Sequence, residues 1–168
     1  MELRDALQGE RSFIREQRVN AYREHAESVP DAHWQALARA LASEADNQPG
    51  VELIVAVIDG NIAGSVALFP ADSDAYEGNV DRVDYPEIRM LAVSPEYRGK
   101  GVASALLKEC MARAKSSGCK AIGLHTGEFM TNAIKLYEKL GFKRLPQYDF
   151  QPAGDGITVK AFRLSLEG

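Results

Sequence analysis

The hydrophobic pattern of the chain changes from helical spacing to strand spacing after residue 50. Apolar residues recur every three to four positions over 12–28 and, more regularly, over 33–46, which predicts two amphipathic helices. Asp31 stands where the N-cap of the second helix is expected. A Pro-Gly pair at 49–50 ends this helical part of the chain.

Three strands are predicted in the middle of the chain. The segments VELIVAVI (51–58) and IAGSVALF (62–69) are apolar and rich in β-branched residues, and the turn Asp59-Gly60-Asn61 joins them as a hairpin. A polar connection over 70–86 follows. The segment EIRMLAV (87–93) then predicts a third strand.

Helices and strands alternate in the C-terminal half. The predicted elements are a helix over about 101–117, a strand over 121–125, a helix over about 130–140, a strand from Phe142 and a strand over 157–166. A glycine follows each helix, Gly118 and Gly141, as is common at helix C-termini. This order of elements predicts an α+β fold with a mixed β-sheet flanked by helices.

Composition agrees with one globular domain. The 168 residues are 45% hydrophobic and 26% charged, so we expect a single domain over 1–168. The net charge of −4 disfavours a protein that binds nucleic acid through its phosphates. No segment approaches the roughly 18 consecutive apolar residues of a membrane span, and the N-terminus lacks the apolar core of a secretory signal.

The two cysteines favour a reducing compartment. Cys110 lies on the apolar stripe of the helix over 101–117, where a buried thiol is expected, and Cys119 has no histidine at metal-ligand spacing. We therefore expect a cytoplasmic protein with no metal site, no membrane contact and no cysteine nucleophile.

The turn after the third strand carries the clearest chemistry. Arg98-Gly99-Lys100-Gly101 leads into a helix whose first N–H groups have no partner within the helix and lie at the positive end of its dipole. Glycines let an anion approach the backbone closely, so the turn suits a phosphate. Its spacing is neither that of a P-loop nor that of G-x-G-x-x-G, because Ser104 stands at the last position. On these residues alone, the segment is equally well explained as a tight strand-to-helix turn whose arginine has no role in binding.

A second motif changes this interpretation. R-x-x-G-x-A at 98–103, followed by LYEKLGF at 136–142, resembles the GNAT superfamily of acyl-CoA-dependent N-acetyltransferases, and the resemblance covers residues 51 to about 145. It implies a splayed mixed sheet and acetyl-CoA as co-substrate, with direct acetyl transfer to an amine.

The resemblance also implies the cofactor contacts. The pantetheine arm would pair with the backbone of Leu91, Ala92 and Val93, as an added strand does. The pyrophosphate would be held by the backbone amides of Arg98, Gly99, Lys100, Gly101, Val102, Ala103 and Ser104.

Three residues are candidates for proton transfer. Tyr137 matches the tyrosine of the family's LYxxxGF pattern, which would protonate the departing CoA thiolate; by periodicity alone it fills the apolar stripe of its helix. Glu87 opens the third strand, where some family members have a glutamate that deprotonates the amine, although a glutamate after a proline is also an ordinary solvated residue. His125, at a strand end, is the competing base, since imidazole titrates close to neutral pH.

One position departs from the family pattern. Many members have an asparagine seven residues before the tyrosine, whereas this chain has Met130 there and Asn132 two places further on. We therefore do not assign the cofactor contact of that asparagine to Met130 or to Asn132. His25 and His33 are interpreted as surface residues rather than metal ligands.

The acceptor is the least specified part of the prediction. The acidic connection over 70–86 would favour a cationic amine if it bordered the acceptor site, and is otherwise a solvated loop. We expect the primary amine of a small molecule. Acetylation of a protein N-terminus or lysine, and a catalytically silent acyl-CoA-binding module, are the alternatives. A homodimer is compatible with the resemblance.

Overall fold

The computed structural model describes residues 1–73, 83–151 and 155–167. These residues form seven strands and four α-helices, with short 3-10 helices between them. The strands and α-helices are, in chain order, β1 (Glu2–Asp5), α1 (Arg11–Tyr22), α2 (Asp31–Ala42), β2 (Glu52–Ile58), β3 (Asn61–Phe69), β4 (Glu87–Val93), α3 (Val102–Ser116), β5 (Ala121–Gly127), α4 (Thr131–Lys139), β6 (Lys143–Arg144) and β7 (Val159–Ser165).

The strands form one mixed sheet, as the element order predicts. Its order is β1-β2-β3-β4-β5-β7-β6, and β4 and β5 are parallel while every other neighbouring pair is antiparallel. Adjacent residues of β2 enter different cores, since side chains alternate along a strand. Ile54 belongs to a buried cluster with Leu106 of α3, and Val55 to one with Ile14 of α1. Helices therefore cover both faces of the sheet, and the α+β prediction is confirmed.

Three element predictions need correction near the N-terminus. The strand β1 was not predicted, because ELRD is short, charged and half-exposed and shows no clear alternation. The helix predicted over 12–28 is α-helical only to Tyr22 and continues as a 3-10 helix over Arg23–Ser28. Asp31 is the first residue of α2 rather than its cap, which is Pro30.

The sheet opens between β4 and β5. Their parallel pairing in the described chain covers Glu87 with Gly123 and Ile88 with Leu124, whereas β5 continues to Gly127 against β7. Met90 of β4 has a φ of 62°, in the left-handed region, at an irregularity in the register between β3 and β4. A bulge of this kind bends a strand away from its neighbour. The splayed sheet follows from it, and we call the opening the β4–β5 split.

The glycine of LYEKLGF ends α4. Gly141 has a φ of 100°, its N–H donates to the Glu138 carbonyl at 3.0 Å, and the Phe142 N–H donates to the Tyr137 carbonyl at 3.0 Å. This is the Schellman arrangement of a helix C-terminus, which needs a residue that tolerates positive φ. The second half of the motif is therefore structural. None of the helices in the described part of the chain is long and apolar enough to span a membrane.

Candidate active site

Two cavities meet at the β4–β5 split. The turn cavity, about 400 Å³, is lined by the end of β4, the turn before α3 and the start of α4. The split cavity, about 260 Å³, lies between β4, β5 and α2. Both cavities share the side chains of Tyr22, Leu91, Phe129 and Met130. A molecule filling the turn cavity can therefore present one end to a second molecule in the split cavity.

The turn cavity gathers nearly all of the residues predicted to bind a cofactor. They are Leu91, Ala92, Val93, Arg98, Gly99, Gly101, Val102, Ala103 and Ser104. Lys100 lies outside this lining, and its ammonium sits 5.7 Å from the centre of the Tyr97 ring.

Backbone geometry makes the turn suitable for an anion. Gly99 and Gly101 have φ of 77° and 78°, a conformation that disfavours side chains, and a Cβ at either position would meet nothing within 4 Å. Gly101 is the N-cap of α3. The first amides of α3 thus lie beside open space at the positive end of the helix dipole.

The Arg98 side chain has protein partners at this turn. Its Nη2 donates to the Ala21 carbonyl at 2.8 Å, and its Nη1 lies 2.6 Å from a Glu24 carboxylate oxygen. The guanidinium therefore connects the turn to the end of α1, which sequence reasoning did not foresee. Tyr22, in the same segment, donates its hydroxyl to the Leu91 carbonyl at 2.6 Å.

The end of β4 leaves one edge towards the split. On its other edge, Ala92 pairs with Ser65 and Val93 pairs with Gly64 of β3. A Cβ on Gly64 would approach the Ala92 carbonyl oxygen to 2.7 Å, so glycine permits this close packing. The edge that faces the split is where an extended, amide-bearing ligand could pair with the backbone.

Tyr137 lies on the wall of the split cavity. Its ring is buried at 6% exposure and packs edge-on against Phe142, with centres 6.1 Å apart. Burial raises the pKa of Tyr137, and the nearby Tyr22 hydroxyl raises it further. The phenol is protonated at neutral pH, as that of an unperturbed tyrosine is, so it carries the proton that a donor needs.

The two candidate bases lie side by side. His125 Nδ1 lies 3.6 Å from Glu87 Oε2, and both side chains are almost completely buried, at 2% and 6% exposure. His125 Nε2 is 3.0 Å from the Tyr148 carbonyl, which can only accept, so Nε2 carries a proton. His125 lines the split cavity, and Glu87 contacts its ring. The solvated alternative for Glu87 is therefore wrong, and the two candidates form one pair.

The two other histidines are not surface residues. His33 is 4% exposed, lines the split cavity, and its Nδ1 lies 3.1 Å from Asp155 Oδ2. His25 is half-buried and lines the turn cavity, and its ring centre lies 5.4 Å from that of Phe129 with the two rings tilted by 54°; burial lowers its pKa. The prediction of two surface histidines was wrong because it considered only the helical segment that carries each histidine, whereas residues of other segments bury both side chains. Among the described residues, no group of three or more His, Cys, Asp and Glu could hold a metal ion.

Met130 and Asn132 both line the turn cavity. The Thr126 hydroxyl donates to the Met130 sulfur at 3.5 Å, which holds the side chain between the two cavities. Phe129, which also lines both cavities, was not singled out by sequence reasoning, and no motif marks it. Most of the acidic connection, residues 74–82, falls outside the described residues, so its place beside the site stays a prediction.

These features together define a class of protein. A mixed sheet split at a bulge, with a glycine turn before a helix and an open strand edge beside it, is suited to an acyl-CoA transferase. The sequence pattern of the acetyltransferase (GNAT) family matches residues 12–142. The chain belongs to this family, and its domain is of the acyl-CoA-dependent N-acetyltransferase class.

Relatives and solved structures agree with this assignment. N-acetylaspartate synthetases of Homo sapiens and Xenopus tropicalis are 34% and 36% identical over 70% and 58% of this chain. The matches span 34% and 33% of those proteins, so the chain covers about a third of their length.

Solved structures resemble nearly the whole chain. A GNAT acetyltransferase of Staphylococcus aureus covers 99% of both chains with a TM-score of 0.72 and 16% identity. A Thermoplasma acidophilum N-acetyltransferase in complex with coenzyme A covers 98% of both chains, also with a TM-score of 0.72 and 16% identity. At this identity the likeness shows the fold.

Proposed function

We propose that residues 1–168 form one N-acetyltransferase domain that moves an acetyl group from acetyl-CoA directly to the primary amine of a small molecule. The observation that carries this proposal is the meeting of the two cavities at the β4–β5 split. One has the geometry for an anionic, extended cofactor, and the other is lined by two of the proton-transfer candidates, His125 and Tyr137. Their shared wall is the place for the thioester.

Acetyl-CoA fits the turn cavity through backbone groups. The pyrophosphate would be held by the amides at the start of α3, beside Gly99 and Gly101. The pantetheine amides would pair with the open edge of β4 at 91–93. This arrangement brings the thioester past Leu91, which borders both cavities.

Transfer requires two proton movements, and the split cavity has a group for each. The amine nitrogen attacks the thioester carbonyl, a C–N bond forms, and the C–S bond breaks. The pair of Glu87 and His125 takes up the proton that the amine loses. Tyr137, which is protonated at neutral pH, gives its proton to the thiolate and regains one from solvent.

The size and lining of the split cavity support a small acceptor. A cavity of about 260 Å³, enclosed by α2, β4 and β5, suits a small molecule better than a folded protein surface. The relatives named N-acetylaspartate synthetase support the same assignment, since the product in that name is an acetylated amino acid.

The test measures acetyl transfer to a panel of small amines and to short peptides with free N-termini or lysines. We expect turnover with small amines, and Tyr137→Phe should lower kcat by about 100-fold while leaving acetyl-CoA affinity nearly unchanged. The matched control is Tyr85→Phe, because Tyr85 is also buried, with its pKa raised by burial to about 12, and lies outside both cavity linings.

Three results would count against the proposal. Saturable binding of acetyl-CoA with no turnover on any amine would indicate a silent binding module. Preference for peptides would make the protein-modifying alternative correct. Full activity of Tyr137→Phe would remove this tyrosine from the mechanism.

A further inference from the structure

His33 is a buried histidine of the split cavity to which the proposed transfer gives no step. It belongs to α2 and lines the cavity from the helix side, whereas His125 lines it from β5. The cavity therefore has one imidazole on its helix side and one on its sheet side.

The Asp155 carboxylate fixes the orientation of the His33 ring. His33 Nδ1 lies 3.1 Å from Asp155 Oδ2, and the two side chains are 5% and 13% exposed. The other carboxylate oxygen, Oδ1, accepts the Ile157 N–H at 3.0 Å. An ionised carboxylate only accepts hydrogen bonds, so Nδ1 carries a proton and Nε2 of the neutral ring carries a lone pair.

The two ring nitrogens of His33 differ in their partners. Nδ1 faces Asp155, whereas Nε2 has no hydrogen-bond partner among the residues that the structure describes and is not fully enclosed by protein atoms. In His125, by contrast, Nε2 bonds to the Tyr148 carbonyl and Nδ1 faces Glu87. Because the His33 ring lines the split cavity, its lone pair is available to a molecule that fills this cavity.

His33 lies close to the place where the two cavities meet. Its ring packs edge-on against Phe129, with ring centres 5.8 Å apart and ring planes at 89°. Phe129 borders both cavities, and Gly127 permits its position, because a Cβ on Gly127 would come within 2.5 Å of the Phe129 ring. His33 is therefore one ring away from the shared wall, where the proposed thioester lies.

Acetylation of a primary amine removes two protons from its nitrogen. At neutral pH an alkylamine arrives as an ammonium ion, which has no lone pair and cannot attack a carbonyl. The ammonium loses one proton before attack, and the nitrogen loses a second as the C–N bond forms. The pair of Glu87 and His125 takes up the second proton. The first proton needs another acceptor.

We propose that His33 is a second general base, which takes the first proton from the ammonium group of the acceptor, and that Asp155 positions it. The N–H bond breaks, its electron pair stays on nitrogen as the attacking lone pair, and the proton binds to Nε2. Asp155 holds the tautomer and stabilises the imidazolium, which then gives its proton to solvent. This inference rests on the proposed acetyl transfer and adds a catalytic residue to it.

The proton count of the whole reaction agrees with this step. Two protons leave the nitrogen, one to His33 and one to the pair of Glu87 and His125. Tyr137 returns one proton to the thiolate. One proton is therefore released for each ammonium that is acetylated.

The first test measures His33→Gln with two acceptors. They are the most active small amine of the panel and a fluorinated analogue that is largely unprotonated at neutral pH, such as trifluoroethylamine for ethylamine. Relative to the unmodified protein, we expect kcat/KM at pH 7 to fall about 100-fold for the parent amine and to change little for the analogue, which needs no first deprotonation. Glu87→Gln should reduce kcat/KM for both, because both amines lose a proton on attack.

The second test measures the pH dependence of Asp155→Asn. Asp155 is the charged group that contacts His33; Asp31, two residues earlier on α2, is exposed, and His25 contacts the same Phe129 ring. Without the negative charge of Asp155 the imidazolium is less stable, so the acidic limb of kcat/KM for the parent amine should move to lower pH. A merely structural contact would leave that limb in place.

His25→Gln is the matched control. His25 also contacts Phe129 but lines the turn cavity, so any change in kcat/KM should be the same for the two amines. Acetyl-CoA affinity and the unfolding midpoint are measured for every variant. His33→Asn gives the same comparison if His33→Gln does not fold.

The outcomes separate this inference from the proposed function. Equal losses for the two amines in the His33 variant, or no loss for either, overturn the role of His33 while acetyl transfer stands. An acidic limb that does not move in Asp155→Asn overturns the positioning role of Asp155. Absence of turnover on every amine overturns the proposed function, and this inference with it.

Discussion

The pair of Glu87 and His125 gives a sharp prediction, because two buried groups in contact should act as one unit. We compare Glu87→Gln, His125→Asn and the double variant, each close in shape to the original residue. If the pair takes the amine proton together, losing either member removes most of its effect, and losing the second adds little.

The structure sets the size of the effect. A positive imidazolium and a carboxylate 3.6 Å apart attract each other by about 5 kcal/mol at an effective dielectric constant near 20. General-base catalysis contributes about 10²–10⁴-fold, which is about 3 to 5 kcal/mol. We therefore expect each single variant to lose about 100-fold in kcat/KM, and the double variant to lose about the same.

The assay follows release of CoA thiol at saturating acetyl-CoA over a range of pH. Acetyl-CoA binding and the unfolding midpoint are measured for every variant, since a buried pair also affects folding. Independent roles predict that the losses multiply to about 10⁴-fold in the double variant. That result, with folding and cofactor binding intact, would refute the single-unit interpretation.

Two further predictions concern other parts of the chain. Cys110 is fully buried, and burial raises its pKa to about 12, so its thiol should resist alkylation in the folded protein. Cys110→Ala should therefore keep kcat. A large loss of kcat with normal acetyl-CoA binding would instead indicate that the acetyl group passes through a thioester on the enzyme. Glu10 accepts hydrogen bonds from Arg4 and from the Leu7 amide, which lower its pKa to about 2. A carboxyl group whose pKa is lower in the folded protein than in the unfolded chain stabilises the fold above pH 4.5, and this stabilisation is lost as the pH falls towards 2. Glu10→Gln should thus lower the free energy of unfolding at pH 7 by about 1 kcal/mol, a small effect because the ion pair of Arg4 and Glu10 is partly exposed. Denaturant titrations of both proteins should show this difference in unfolding free energy vanishing near pH 2. A difference that stays constant with pH would contradict the lowered pKa of Glu10.

Local patterns predicted the elements that build the site. The third strand was predicted over the residues it occupies, 87–93, and the hairpin turn at Asp59-Gly60 has the positive φ values expected. These two predictions succeeded because the signals they used, apolar spacing and turn residues, lie within a few positions of one another in the sequence. The two-residue strand β6 and the charged strand β1 carry too little pattern to be delimited.

The site itself depends on contacts that no local pattern encodes. Glu87 and His125 meet because β4 and β5 are parallel neighbours in one register, although 37 residues of sequence lie between them. The sequence named both as competing bases, but their contact follows only from the register. His33 was misjudged for a related reason, since Asp155 and Phe129 that bury it come from the far end of the chain.

The β4–β5 split also bears on what can pair with the free edge of β4. A free strand edge at the rim of a sheet is a template on which another chain can add a strand. Here the free edge of β4 lies in the interior of the sheet, in a gap with β5 on its other side. An extended arm one strand wide can enter that gap, whereas the edge of a neighbouring folded sheet is too thick to follow. The bulge at Met90 thus places a pairing edge in the interior of the sheet, where the proposed cofactor arm would fit and the edge of another folded chain would not.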